Sequence, residues 1–290
     1  MTSAARRAHE ALEPFHLLAY FNPGLQAAQA DTRLDPHAFY VGARGAPLGP
    51  CAGSVVASAF FNFSPALIGT AWASACAVGL DAVVDRRNAM LGEQFHAILG
   101  DLGEQPAIAD LAARYGALAA SLPLNGRALA AAWASAAIPD EPIVALWHNI
   151  AVLREWRGDN HIAALVVHGL DGIDARTFHE SQLLDPGIRR VTLGKRMSML
   201  TRGWCDDDWE LSVDRLVERG LAERTGPNES GIAHRLTPDG AERYDDIEAM
   251  TDALGESVWT TSGVDSLLEA THPLVKAVID AGIVPGTRTK

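Results

Sequence analysis

Apolar residues recur at helical spacing along most of the chain, and the one extended pattern is a short hairpin in its C-terminal third. Leu12, Phe15, Leu18 and Ala19 predict a helix over 4–21, closed by the breaker cluster Asn22-Pro23-Gly24. After a Gly- and Pro-rich loop (Gly42 to Pro50), GSVVASAFFNFSPALIGTAWASA predicts a helix, a turn at Asn62–Pro65 and a second helix. There Ser64 is the expected cap, and Pro65 takes the first helical position, where its missing donor does no harm. This helix-turn-helix shape is almost uncharged, which suits a core or an interface better than a DNA groove. Further helices are expected over 81–137, broken near Gly100–Gly103 and at Pro123.

Two prolines in Ile138-Pro139-Asp140-Glu141-Pro142 mark the expected boundary between an N-terminal half, 1–139, and a C-terminal half, 140–290. The second half opens on a helix capped by Asp140, with Ile143, Leu146, Trp147, Ile150 and Leu153 on one stripe. Gly158 is expected to end it and Asp159 to cap the next, followed by a turn at Gly169–Gly172 and another helix. A short helix over 195–203 and a turn at Gly203–Cys205 lead into an amphipathic helix from Asp206 to Arg219. A β-hairpin around Gly-Pro-Asn-Glu-Ser-Gly follows, then a helix opened by Thr237-Pro238 and a last helix over 263–281. The fold class is therefore mostly α: a duplicated helix-turn-helix and winged-helix architecture with a small β-hairpin wing, one chain imitating a two-subunit dimer.

Charge and cysteine content narrow the function. A net charge of −12 over 290 residues disfavours a polyanionic partner unless cations gather on one face. Five cations and no acid occur between Arg189 and Arg202: Arg189, Arg190, Lys195, Arg196 and Arg202. Three scattered cysteines, Cys51, Cys76 and Cys205, without a CxxC pair read as reduced thiols. No apolar h-region follows the first residues, and no run approaches the ~18–20 apolar residues of a membrane helix. A cytoplasmic protein without a membrane partner is the expectation.

The run TRGWCDDDWELSVDRLVERGLAER…HRLTPDGAERYDDIEAM resembles the winged helix-turn-helix of MarR-type proteins. The phrase from Arg215 to Arg224 matches the end of their recognition helix and the start of the wing, and Leu236–Gly240 matches the opening of the helix after it. The phrases YFNPG, FFNFSPALI, LWHNIAVLREWRGDNHIAAL and TRGWCDDDW also look like an actinobacterial family of predicted helix-turn-helix proteins known mainly by fold. The MarR resemblance implies ligand-controlled repression. Yet recognition helices put their N-terminal side chains against the DNA, and here that end is Asp206, Asp207, Asp208 and Glu210. With Asp214 and Glu218, six acids face two arginines, Arg215 and Arg219, which removes the phosphate-neutralising term. The same acids also suit a helix start by pairing with its dipole.

The candidate chemistry lies between Trp147 and His168 and in the N-terminal aromatics. Trp147, His148, Arg154, Arg157 and His161 form a polar group in apolar surroundings, with His148 or His161 as the candidate base were the protein catalytic. Tyr20 and Phe61 represent an aromatic set suited to an apolar pocket, with Asn62 to orient what binds there. Caps, ion pairs and ordinary core packing account for the same residues. No HExxH, CxxC, GxSxG, GxxxxGK[ST] or dinucleotide fingerprint occurs, so no metal site is expected and any cofactor is unknown. The function read from sequence is a small-molecule-binding, MarR-like winged-helix protein with lost or altered DNA binding, either a monomeric pseudo-dimer or a homodimer. Two alternatives stay open. One is a ligand-responsive transcriptional regulator using the 189–202 stretch. The other is an enzyme using a cavity between the halves, with a His base or a haem or metal ligand.

Overall fold

A computed structural model describes residues 2–103, 106–185, 187–188 and 190–285. Fourteen α-helices and one two-stranded sheet make up the described architecture. In chain order the first eight helices are α1 (Ala4–Phe21), α2 (Leu25–Thr32), α3 (Pro36–Gly45), α4 (Gly53–Phe60), α5 (Pro65–Val78), α6 (Leu80–Leu99), α7 (Pro106–Ala120) and α8 (Ala128–Ser135). Then come α9 (Pro142–Val167), α10 (Gly172–Glu180), α11 (Gly194–Arg202), α12 (Asp206–Glu218), β1 (Ala222–Arg224), β2 (His234–Leu236), α13 (Pro238–Trp259) and α14 (Val264–Asp280).

The capping residues explain most of these boundaries. Ser3 accepts from the Arg6 amide at the start of α1, and Asp35 accepts from the His37 and Ala38 amides at the start of α3, where Pro36 takes the first position. Thr237 caps α13 by accepting from the Gly240 amide, as its sequence foretells. Cys205 and Asp208 form a reciprocal capping box on α12.

The boundaries around α9 depart from expectation. Gly158 does not end a helix, because α9 runs unbroken from Pro142 to Val167. An interior glycine costs a helix only about 1 kcal/mol, and α9 more than recovers that by burying Ile143, Leu146, Trp147, Ile150, Leu153 and Trp156. Asp159 is a cap after all, but for another helix: its carboxylate accepts from the Ala130 amide at 2.9 Å, in the first turn of α8, which has no side-chain cap at its own N-cap, Arg127. Nor does Asp140 open α9, which begins at Pro142 with the Glu141 carbonyl accepting from Ala145.

The chain forms two compact units interleaved in sequence, where the prolines at 139 and 142 suggest a single boundary. The first comprises residues 1–51, 71–160 and 252–290, the second residues 52–70 and 161–251. Within the first unit α1 lies along α14, α6 packs on α2 and α3, and the core holds Trp133, Trp147, Trp156, Phe15, Phe39 and Phe95. Within the second unit α10 packs on α12 and on α11, and α12 packs on β1. β1 and β2 pair antiparallel, with Ala222 opposite Leu236 and Arg224 opposite His234, and Gln182 adds a parallel bridge to Arg235. Helices α10, α11 and α12 of this unit are followed by the β1–β2 hairpin, in the order the sequence predicts.

Three cysteines, Cys51, Cys76 and Cys205, are free thiols, with Cys51 partly buried and the others exposed. Among the described residues no single helix is long and apolar enough to cross a membrane.

Candidate ligand cavity and winged-helix surface

The first unit contains a cavity of about 160 Å³ walled by α1, α2, α3, α6, α8 and α9. Tyr20, Phe39, Tyr40, Trp133 and Trp147 supply its aromatic surface, and Gln29, Arg44 and Arg87 its polar groups. Trp147 is fixed from several directions. Its indole donates to the His16 carbonyl at 3.2 Å, its ring stacks on His16 and it meets Trp133 edge-on. Trp133 in turn donates to the Arg44 carbonyl at 3.0 Å. Tyr20 meets Tyr40 edge-on, and burial keeps its phenol protonated well above the ordinary range.

Behind this wall lies a buried ion pair that the sequence did not reveal. Arg44 holds Glu155 through two hydrogen bonds, Nε to Oε1 at 2.8 Å and Nη2 to Oε2 at 2.7 Å, and Glu155 is fully buried. Burial opposes ionisation of Glu155, but the Arg44 charge and hydrogen bonds, with Arg154 beside them, hold its carboxyl at about 2. Asp159 is pushed up to about 6, because its burial outweighs the hydrogen bond from Ala130. Arg44 and Glu155 lie 111 positions apart, and nothing in local periodicity joins them.

The predicted site residues separate into three places. Tyr20 and Trp147 line the cavity. His148 is buried beside it, tilted over Trp133 and held neutral at about 4 by burial and the nearby Arg87 charge, but it is not part of the lining. Arg154 and Arg157 border a different and much smaller space of about 20 Å³, with Glu13 and His16. Arg154 lies 3.8 Å from Glu13 and 3.6 Å from Glu155, and Arg157 pairs with Asp252 at 3.2 Å.

His161, Phe61 and Asn62 belong to the other unit. His161 bonds Thr251 at 3.0 Å and lies 3.9 Å from Glu248, so it does not face a cavity lined by Trp147, as its neighbourhood in sequence suggested. The unbroken α9 is the reason: without a corner at Gly158 to fold the chain back, His161 follows Trp147 by roughly 21 Å along the same helix. Phe61 and Asn62 form the turn between α4 and α5, where the Asn62 carbonyl accepts from the Trp204 indole at 3.0 Å and the Ser64 amide donates to the Arg202 carbonyl at 2.8 Å. Phe61 has φ +35, and its carbonyl lies where a Cβ on Gly172 would be, 2.2 Å away. These bonds dock the turn on the one before α12.

On the winged helix, cations are engaged by the protein itself. Lys195 bridges Asp206 at 2.7 Å and Glu210 at 2.6 Å. Arg224 of the wing reaches Glu210 and Asp214, Arg235 pairs with Glu223, and Arg215 holds the buried Asp174. Arg219 donates to the carbonyls of His168 and Gly169 at the end of α9. In the basic stretch Arg190 turns onto Tyr244 and the Ser181 carbonyl, Arg202 lies 4.2 Å above the Phe63 ring, and Arg196 is exposed; Arg189 lies outside the described residues.

With helix, wing and docking turn in place, the class is a mostly helical helix-turn-helix protein. The chain belongs to a helix-turn-helix family, which it matches over residues 5–285. No curated protein and no solved structure gives a significant match.

Proposed function

We propose that this helix-turn-helix protein binds a small molecule in the cavity of its first unit and has lost or altered DNA binding, as a MarR-like winged helix turned to another use. The aromatic cavity carries this reading: about 160 Å³ walled by Tyr20, Phe39, Tyr40, Trp133 and Trp147 is concave, mostly apolar space with a few polar groups, which is how small-molecule sites are built. The winged-helix surface supports the second half of it. Asp206, Glu210, Asp214 and Glu223 take up cations that a DNA reader would offer to phosphates, so duplex binding would require breaking those pairs first.

The test is native mass spectrometry of the purified protein together with titration of its tryptophan fluorescence by a library of small aromatic molecules. A co-purified molecule, or saturable quenching through Trp133 and Trp147, is the expected result. Failure of both overturns the reading.

A second reading, a ligand-responsive transcriptional regulator, is favoured by the family match and by the exposed Arg196 in the 189–202 stretch. It requires specific binding to a DNA site near the protein's own coding sequence.

A further inference from the structure

Arg87 is the anomaly of the first unit. Its side chain enters the cavity wall from α6, only 4% of the residue is exposed, and no carboxylate pairs with it among the described residues. Its hydrogen bonds go to neutral oxygens: Nη1 donates to the Ala43 carbonyl at 2.7 Å, while Nε and Nη2 donate to Asn88 Oδ1 at 3.1 and 2.9 Å. Since each terminal nitrogen carries two N–H groups, one on each is left over. Its guanidinium carbon lies 4.9 Å from the Trp133 ring centre and 5.3 Å from that of Trp147, so the aromatic faces partly compensate the charge.

Arg44 and Arg176, with side chains 10% and 8% exposed, behave differently. Arg44, on the same cavity, is matched by Glu155, and Arg176 is matched by Glu180. Proteins rarely keep a buried charge without an opposite one, because its desolvation is costly. Burial pulls Arg87 down to about 10, which still leaves it protonated at neutral pH. The nearby His148 is neutral and supplies no negative charge. The remaining polar lining also favours an anion: Tyr20 and Tyr40 carry phenol groups, Gln29 an amide, and Tyr20 stays protonated and so able to donate.

Resting on the reading of this cavity as a ligand site, we infer that its ligand is a small monocarboxylate with an apolar, ring-sized body, and that the carboxylate is the missing counter-ion of Arg87. One unmatched guanidinium calls for one negative charge, and its leftover N–H groups suit the two oxygens of a carboxylate. Phe39, Tyr20 and Tyr40 would cover the body of the molecule.

The experiment compares benzoate, phenylacetate and 2-naphthoate, each with its neutral amide, by calorimetry and tryptophan fluorescence on the full chain and on Arg87→Met. At least one carboxylate should bind the full chain roughly ten- to a hundredfold more tightly than its amide, the worth of a buried charged hydrogen bond. Arg87→Met should abolish that preference while raising the melting temperature of the empty protein, since it removes an uncompensated buried charge. Amides that bind as tightly as the carboxylates, or a preference that survives in Arg87→Met, overturn the inference and leave the cavity a ligand site. If neither carboxylates nor amides bind the full chain, the ligand-site reading falls and the inference with it. The comparison on the unaltered chain decides the matter should Arg87→Met fail to fold.

Discussion

Gly240 lies so close to the Leu221 carbonyl that a Cβ at Gly240 would come within 1.9 Å of the oxygen. The two residues belong to the separate phrases RGLAER and LTPDG, and their approach closes the wing: Thr237 donates its amide to Leu221 and its hydroxyl to Gly220, and caps α13 through Gly240. The obstacle is backbone, which cannot swing aside like a flexible side chain. Gly240→Ala is therefore expected to destabilise the protein by about 2–3 kcal/mol, as overpacking does. Gly226→Ala, where a Cβ meets nothing within 4 Å, is the matched control and should be near neutral. Equal denaturant midpoints for the two variants would show that the turn relaxes.

The Arg44–Glu155 pair gives a second prediction. Glu155→Gln keeps the shape but leaves Arg44 buried with weakened partners, and breaking a buried pair from one side typically costs about 3–5 kcal/mol. Chemical denaturation should show a loss in that range. A loss below about 1 kcal/mol would mean that water reaches the pair.

Acidification should destabilise the fold over a defined window. Burial, with Arg87 nearby, holds His148 at about 4, and burial with Arg190 and Arg176 holds His179 at about 3, so both are neutral in the folded chain below their ordinary 6.5. The unfolded chain then binds more protons, and stability present above pH 6.5 falls as pH drops towards 4 and 3. At about 1.4 kcal/mol per unit, His148 contributes on the order of 3 kcal/mol and His179 on the order of 5 kcal/mol. Asp159, raised to about 6, acts in the opposite direction between that value and 3.8 and offsets part of the loss. Melting temperatures measured from pH 7.5 to 4.5 should decline, less steeply in His148→Gln. A flat profile would contradict the burial of these imidazoles.

On DNA, the acids of α12 should dominate. Duplex affinity at physiological salt should stay in the non-specific range, about 10⁻⁴ to 10⁻⁶ M. Glu210→Gln with Asp206→Asn releases Lys195 and should strengthen binding measurably in an electrophoretic or anisotropy assay. Nanomolar binding by the unaltered chain to its own upstream region would overturn the proposal.

Local chemistry carried much of this molecule. The helical periodicity of α1, the Thr237-Pro238 opening of α13, the RGLAER and LTPDG phrases flanking the wing and the acidity of α12 are all properties of neighbouring residues, and each was legible in sequence because capping, periodicity and turn formation act over a few positions. Gly158 shows the limit of that reasoning: a glycine and an aspartate looked like a helix end, but burial of one side of α9 outweighed their local preference, and Asp159 found its amide on α8, 29 positions away. The cavity was legible only in part. Tyr20 and Trp147 stand out as aromatics, whereas Arg87, Arg44 and Glu155 look in sequence like ordinary surface charges on helices. Whether a charge is solvated, paired or left alone in an apolar wall depends on which distant helices pack over it, and tertiary structure alone decided that Arg44 meets Glu155 while Arg87 meets no carboxylate among the described residues.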